Sequence, residues 1–479
     1  MARLWQRKYE RVFDSIDDAE PKEQFLCEID NVAESPINCV TLLELSEIVA
    51  QLPSNKAVGR DQIPAEVFKH APMYPLTWLS VFFTSFLTHS FLPAQLSDVI
   101  LVPLLKNKMK DPNDSTNYRP IALATAASKM FERVLLNRLN DFLYNSDNQF
   151  GFKPQHSTEL CIFAVKEVIN YYLHLNTPIF LCFIDLKSAF DRVSYWLLLR
   201  KLLSRGVPLY LLLILQCWFR EQRIFIRWGA SLSAPFNMNN GIRQGSVISP
   251  LFFSVYVHDL NIRLNESRIG CHVSNVPVNN FAYADDFALV CPSATALNDM
   301  LRVCESFAAD HYILFSTTKS VCLNITSPNC RIANPPAIYL CGQVLDYVTS
   351  FTYLGHVICS DFNDDEDIKK ETRKLCARGN AIVRQFKPCN MDVKLTLFKS
   401  YCYSLYCGSL WTNYRVAVLN RLKVTYNNIM RRFAGVPTWH SARTMLLTYT
   451  LKVCQRDSCG KLTALESGLR RVLTDWWLR

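Results

Sequence analysis

Two short segments put carboxylates where chain folding alone gives them little reason to be. In FLCFIDLKSAFDRV, residues 180–193, an apolar strand ends in Asp185 and resumes as a polar, turning segment. Aspartate is disfavoured in strands, so one at the end of a buried strand calls for a metal ion or a capping role. In FAYADDFALV, residues 281–290, two apolar half-strands fold about Asp285 and Asp286, the pattern of a hairpin presenting carboxylates. Adjacent aspartates are also ordinary turn formers, and a lone Y-x-D-D string does not choose between the two uses.

The elements that must position these residues show in the hydrophobic spacing. Leu45, Ile48, Val49 and Leu52 follow the i, i+3, i+4, i+7 rule behind a Thr41–Glu44 capping box, and Pro53 stops that helix. Phe131, Val134, Leu135, Leu139 and Phe142 mark a second amphipathic helix, preceded by the extended apolar run at 99–105. The runs IFLCFI, IFIRW and FALV read as strands with helical stretches between them. The longest apolar stretch, residues 207–219, is interrupted by Gln216 and falls short of the roughly 20 residues a bilayer requires, so a buried helix is expected. After the acidic run at 361–367 the pattern turns helical, and a subdomain boundary is placed there.

Composition bounds the rest. With 49% hydrophobic and 12% aromatic residues in 479, the chain can bury more than one core. The charged opening stretch lacks the apolar core of a secretory signal, so an intracellular protein is expected, and the 18 cysteines are expected to be reduced core residues. The nearest zinc candidates, Cys402 with Cys407 and Cys454 with Cys459, have four intervening residues and no matching histidine spacing, so zinc is not expected. The net charge of +10 is uneven. Residues 1–368 carry 31 Lys and Arg against 37 Asp and Glu, whereas residues 369–479 carry 21 against 5. The basic excess lies in the last quarter, interleaved with aromatics, a mixture that grips phosphates and stacks bases. A solvated basic helix face is the other reading of that stretch.

Taken together and in order, these segments resemble the reverse transcriptases of non-LTR (LINE-type) retrotransposons, from about Leu52 to Ser360. LPSNKAVGRDQIPAEVF resembles the N-terminal extension, and VILVPLLKNK with NYRPIALATAASKMFERVLLNRL resembles the fingers, followed by NQFGFKPQHST. The aspartate strand resembles motif A, GIRQGSVISPLFFSVYVHDL motif B, FAYADDFALV motif C, FSTTKS motif D, and FTYLGH the primer grip.

The resemblance implies that Asp185 and Asp285 bridge two Mg²⁺ ions, with Mn²⁺ as an alternative, and that Asp286 stands second in the pair and less directly bound. Two hard cations about 4 Å apart stabilise an attacking 3′-oxygen and a departing pyrophosphate together, and magnesium keeps waters and substrate phosphates in its shell. It further implies that Arg119 and Lys106 hold the triphosphate, that Phe190 excludes a 2′-hydroxyl, and that Gln244 and Gly245 contact nucleotide and template. Lys319 matches a lysine that protonates the leaving group, although Ser316 stands where the family usually has Asn. Tyr353, Leu354 and Gly355 match the grip that seats the primer end. Surface ion pairs for Lys106 and Arg119, a core aromatic for Phe190 and a plain turn for Gly245 are the structural alternatives.

The expected architecture is an α+β right-hand polymerase fold. Residues 1–52 form an N-terminal helical segment, 53–176 the extension and fingers, 177–361 a palm of antiparallel sheet with covering helices, and 362–479 a basic helical thumb in which Lys423, Arg431 and Arg432 touch nucleic acid. The expected partners are an RNA template, a DNA primer, deoxynucleoside triphosphates and the element's own RNA, without a membrane, in the nucleus or a cytoplasmic ribonucleoprotein. Nothing before Leu52 is long enough for the endonuclease that such elements commonly carry. A catalytically decayed or domesticated RNA-binding descendant is the alternative function. An intron-encoded maturase would need a splicing domain that the sequence does not show.

Overall fold

The apolar run at 99–105 becomes the strand Asp98–Leu105, buried along most of its length. It pairs antiparallel with Tyr118–Ala124 on one side and parallel with Arg223–Trp228 on the other, and the last of these carries the short strands Ser231–Leu232 and Phe236–Asn237. Being central explains its near-continuous apolar character. In a computed structural model this sheet belongs to the first of two compact units, made of Met1–Ser157, Cys182–Val321 and Pro336–Leu345. The structure describes residues 1–107, 110–326, 334–402, 405–437 and 439–441.

Local signals decide the helices of this unit. Thr41 caps Leu42–Ala50 by accepting from the Glu44 N–H at 3.1 Å. The Glu44 carboxylate does not close a capping box; it pairs with Arg138 at 2.7 Å, tying this helix to Ala126–Leu139, where Phe131, Val134, Leu135 and Leu139 are buried. The stretch read as a buried helix is Leu209–Arg220. At the N-terminus, the helix Ala2–Val12 places Trp5 against Trp228 and Tyr118, and the N–H groups of Asn239 and Asn240 both donate to Phe13 O. The hairpin of Asn280–Tyr283 with Asp286–Cys291 lies beside the C-terminal half of the strand Ile179–Asp185, and the helix Ser249–Glu266 supplies the core residues Phe252, Phe253 and Tyr256.

The second unit comprises Thr158–Leu181, Cys322–Pro335 and the chain from Asp346 onward. It holds the helix Thr158–His174, the hairpin Ser350–Tyr353 with His356–Cys359, and the helices Asp365–Gln385, Met391–Tyr401 and Val416–Ala434. Ile368, Leu375, Ile382, Phe398, Leu422, Ile429 and Phe433 form their shared core. Within the acidic run, Asp364, Asp365 and Asp367 are buried at the start of the first of these helices, where their charge suits the helix dipole, and the Asp364 carboxylate accepts from the N–H groups of Thr412 and Asn413.

Ten of the described cysteines are buried, including Cys402 and Cys407. Cys454 and Cys459 lie outside the described residues. No described helix is long and apolar enough to cross a membrane.

Candidate active site

The Asp-Asp hairpin turns through Ala284 and Asp285, with Ala284 at φ +58°. Glycine is the usual choice where a two-residue turn needs positive φ, and a Cβ there costs on the order of 1–2 kcal/mol. The buried side chain of Gln149 holds that peptide in place. Its Oε1 accepts from the N–H groups of Ala284 and Gly151, both at 2.9 Å, while the flanking backbone adds Phe150 N–H to Ala282 O and Ala282 N–H to Asn148 O at 2.8 Å. A Cβ on Gly151 would sit 2.3 Å from the Ala284 nitrogen. NQFGF therefore supports the Asp-Asp turn from behind, a role the sequence did not disclose.

Asp185 ends its strand as expected and is held by two backbone contacts. Its N–H donates to Ser320 Oγ at 3.1 Å, and its carbonyl accepts from the Ser316 N–H at 2.8 Å. Ser316 fills its place through the main chain, which leaves the 314–320 segment in position despite the missing Asn. Lys319 Nζ reaches the Asp185 carboxylate at 3.2 Å.

Phe190 lies in the short turn of 3₁₀-helix Ala189–Arg192 and stacks on Phe253, with centroids 4.8 Å apart and planes 13° apart; it is half-buried, so the ring is both packed and partly open. Gln244 is fixed at its backbone, where its carbonyl accepts from the Ala122 N–H at 2.8 Å, and at its side chain, where Nε2 donates to Asp191 at 3.1 Å. Gly245 has φ +120°, and a Cβ would lie 2.9 Å from Ala122 O, so close approach to the strand requires glycine. The neighbouring Arg243 is buried with Glu132 at 3.8 Å and donates to Gln222, anchoring the loop. Lys106 donates to Thr116 O at 3.0 Å, and Arg119 is exposed with no carboxylate in ion-pair range among the described residues.

The charges at these strand ends are unbalanced. Burial, and then the charge of Asp185, raise Asp285; burial, followed by Asp285 and Asp185, pushes Asp286 up to about 6 although its side chain is open at the surface. Arg119 opposes the shift at Asp285, and burial with the charges of Lys319 and Arg119 lowers Lys106. Carboxylates and cations thus act on one another across one small region of the first unit. Among the described residues, no three potential ligands stand together as a finished metal cage. The donors are hard oxygens under mutual repulsion, a set that suits a hard divalent cation completing its shell with water and phosphate.

The remaining expected residues belong to the second unit. Tyr353 is buried and its hydroxyl lies 3.5 Å from Cys161 Sγ, so its side chain supports the hairpin, and the turn at Leu354 and Gly355 is the accessible part. Tyr406 borders that turn, its hydroxyl donating to Leu354 O at 2.7 Å. Arg431 donates to His440 O and Asn428 and is a local brace; Arg432 is exposed and reaches Asn380, while Lys423 is half-buried.

Against this geometry, a profile described as reverse transcriptase (RNA-dependent DNA polymerase) matches residues 106–358, just over half of the 479-residue chain. The chain belongs to the reverse transcriptase family. The RNA-directed DNA polymerase from mobile element jockey of Drosophila melanogaster is 26% identical to this reverse transcriptase over 439 residues, which is 87% of the chain and 46% of that protein. The probable RNA-directed DNA polymerase from transposon BS of the same organism is 26% identical over 457 residues, 91% of the chain and 49% of that protein. That from transposon X-element is 23% identical over 426 residues, 86% and 46%. These matches support the resemblance to non-LTR reverse transcriptases, and the chain spans about half the length of the curated relatives it matches.

Proposed function

We propose that this chain is an RNA-directed DNA polymerase, extending a DNA primer on an RNA template with deoxynucleoside triphosphates. The observation that carries the reading is the set Asp185, Asp285 and Asp286 on neighbouring strand ends, two of the three raised by burial and mutual repulsion, with Lys106, Arg119 and Lys319 acting on the same region. Perturbed carboxylates concentrated at one place are what a site for chemistry requires. Two divalent ions, Mg²⁺ or Mn²⁺, would be held by Asp185 and Asp285 with Asp286 beside them, and when bound they supply charge stabilisation to the attacking and leaving oxygens.

The side chains do the rest. Arg119 and Lys106 bind triphosphate oxygens, Arg119 through a fork that matches them. Phe190, backed by Phe253, is a firm floor against which a ribose 2′-hydroxyl would collide. Lys319 leaves its ion pair with Asp185 to meet the departing pyrophosphate, for which a positioned cation is suited. In this reading residues 53–176 are fingers, 177–361 palm and 362–479 thumb, and the turn at Leu354 and Gly355 seats the primer. The same reading has the chain working inside the cell on the element's own RNA.

Extension of oligo(dT) on poly(rA) with dTTP tests it. The expected result is a ladder of products that needs Mg²⁺ or Mn²⁺ and disappears with chelator. A folded chain that adds no nucleotide with either ion would overturn the reading.

A further inference from the structure

Asp191 is a buried carboxylate, 7% exposed, with no ion-pair partner among the described residues. It is anchored on its main-chain side. Asn240 Nδ2 donates to Asp191 O at 2.7 Å and to Val12 O at 3.1 Å, while Asn240 Oδ1 accepts from the Ser15 N–H at 2.9 Å. The carboxylate itself accepts from Gln244 Nε2 at 3.1 Å. Around it stand Lys8 and Tyr9 from the N-terminal helix, Lys106 from the end of its strand, and the Ser188 hydroxyl.

The chemistry of that contact is one-sided. An ionised carboxylate only accepts, whereas a primary amide has a donating and an accepting end. Facing Asp191, the Gln244 amide is bound to turn its nitrogen inward. Its Oε1 accepts no hydrogen bond from the described residues and is left over as an acceptor. The Gln244 backbone, pinned by Ala122 and by the φ of Gly245, cannot swing to undo this choice.

We propose that Asp191 is a positioning residue that locks the Gln244 amide in one orientation, so that its carbonyl oxygen is presented to the hydroxyl of the incoming nucleotide's sugar. This rests on the polymerase reading above. A neutral amide at 191 would accept either orientation of Gln244, and the lock would be lost without loss of shape.

The test is a cycle of Asp191→Asn, Gln244→Met and the double variant, measured as steady-state dTTP addition to oligo(dT) on poly(rA). Asp191→Asn should raise the KM for dTTP about tenfold, the size of one misplaced hydrogen bond, while kcat and affinity for the primed template change little. Because Asp191 acts through Gln244, the double variant should be no worse than Gln244→Met alone. A merely structural role predicts that the two losses multiply, and that outcome, or a KM within twofold of the unaltered chain, would overturn the proposal. The rise in thermal midpoint caused by dTTP reads the pocket separately from chemistry. If the unaltered chain extends nothing, the polymerase reading fails on its own. A dTTP shift that is smaller in Asp191→Asn would still support the lock, and equal shifts would reject it.

Discussion

At the scale of single residues, the Asp-Asp turn depends on a glycine that is nowhere near it in sequence. Gly151 abuts the Ala284 nitrogen, so Gly151→Ala should push the turn bearing Asp285 and Asp286 out of place. Displacement of a reacting group by about 1 Å costs roughly 100-fold in rate. The expected outcome is a loss of about that size in primer extension by a variant whose circular dichroism is unchanged; near-normal extension would show that the turn is not held from this side. Asp185, Asp285 and Asp286 were legible in the sequence because each breaks an apolar run, and local context reveals such breaks. Gln149 and Asp191 were not. Their work consists of hydrogen bonds to residues 135 and 53 positions away, and no spacing rule in the sequence points to them.

At the scale of elements, the hairpin at 350–359 is fastened by a buried charge cluster. His356 Nδ1 lies 3.0 Å from Asp367 and its Nε2 3.6 Å from Asp364; Asp364 also meets Lys166 at 2.7 Å, and Asp367 meets Trp411 Nε1 at 2.9 Å and Lys370. Burial works against a charged His356, but the two carboxylates outweigh it and raise its pKa above 6.5. Asp364 and Asp367 are held low despite burial, chiefly by His356, and Asp364 by Lys166 as well. A raised histidine contributes stability below its unfolded value that is lost as pH rises through its folded one, and depressed carboxylates contribute above about 4 and lose it on acidification. The hairpin should therefore be firmest between about pH 4 and 6.5. Hydrogen exchange of residues 350–359, corrected for intrinsic rates, should show protection falling from pH 6 to 9, and His356→Asn should give lower protection that no longer varies over that range. A flat profile in the unaltered chain would remove His356 from the cluster's energetics.

The same scale shows why some elements were readable and others were not. Long periodic segments, such as Ala126–Leu139 and Leu209–Arg220, were clear because burial repeats with the helix. The two-residue strands His272–Val273, Val276–Pro277, Tyr339–Leu340 and Gln343–Val344 are too short to carry any period. The charges of the acidic run at 361–367 are neutralised by His356, Lys166 and Arg415 through contacts that no sequence spacing shows.

At the scale of the whole molecule, the charge imbalance between residues 1–368 and 369–479 is the feature with consequences for binding. Part of that excess is already balanced: Lys369, Lys370, Lys374 and Arg415 all pair with acidic residues. Affinity for a primed RNA template should still fall steeply with salt, since each neutralised phosphate releases counterion. Replacing Lys423, Arg431 and Arg432 together by Gln should lower the log-log slope by roughly two rather than three, because Arg431 is engaged with His440 and Asn428. Filter binding between about 50 and 200 mM salt measures it, and an unchanged slope in a folded variant would remove this surface from the template path.

The central claim is that Asp185 and Asp285 perform nucleotidyl transfer, and single-nucleotide addition by Asp185→Asn and Asp285→Asn tests it most directly. With primed RNA template and Mg²⁺, each variant should bind the template as the unaltered chain does and add no measurable nucleotide. Addition surviving at more than a few percent of the unaltered rate in either variant would contradict the account.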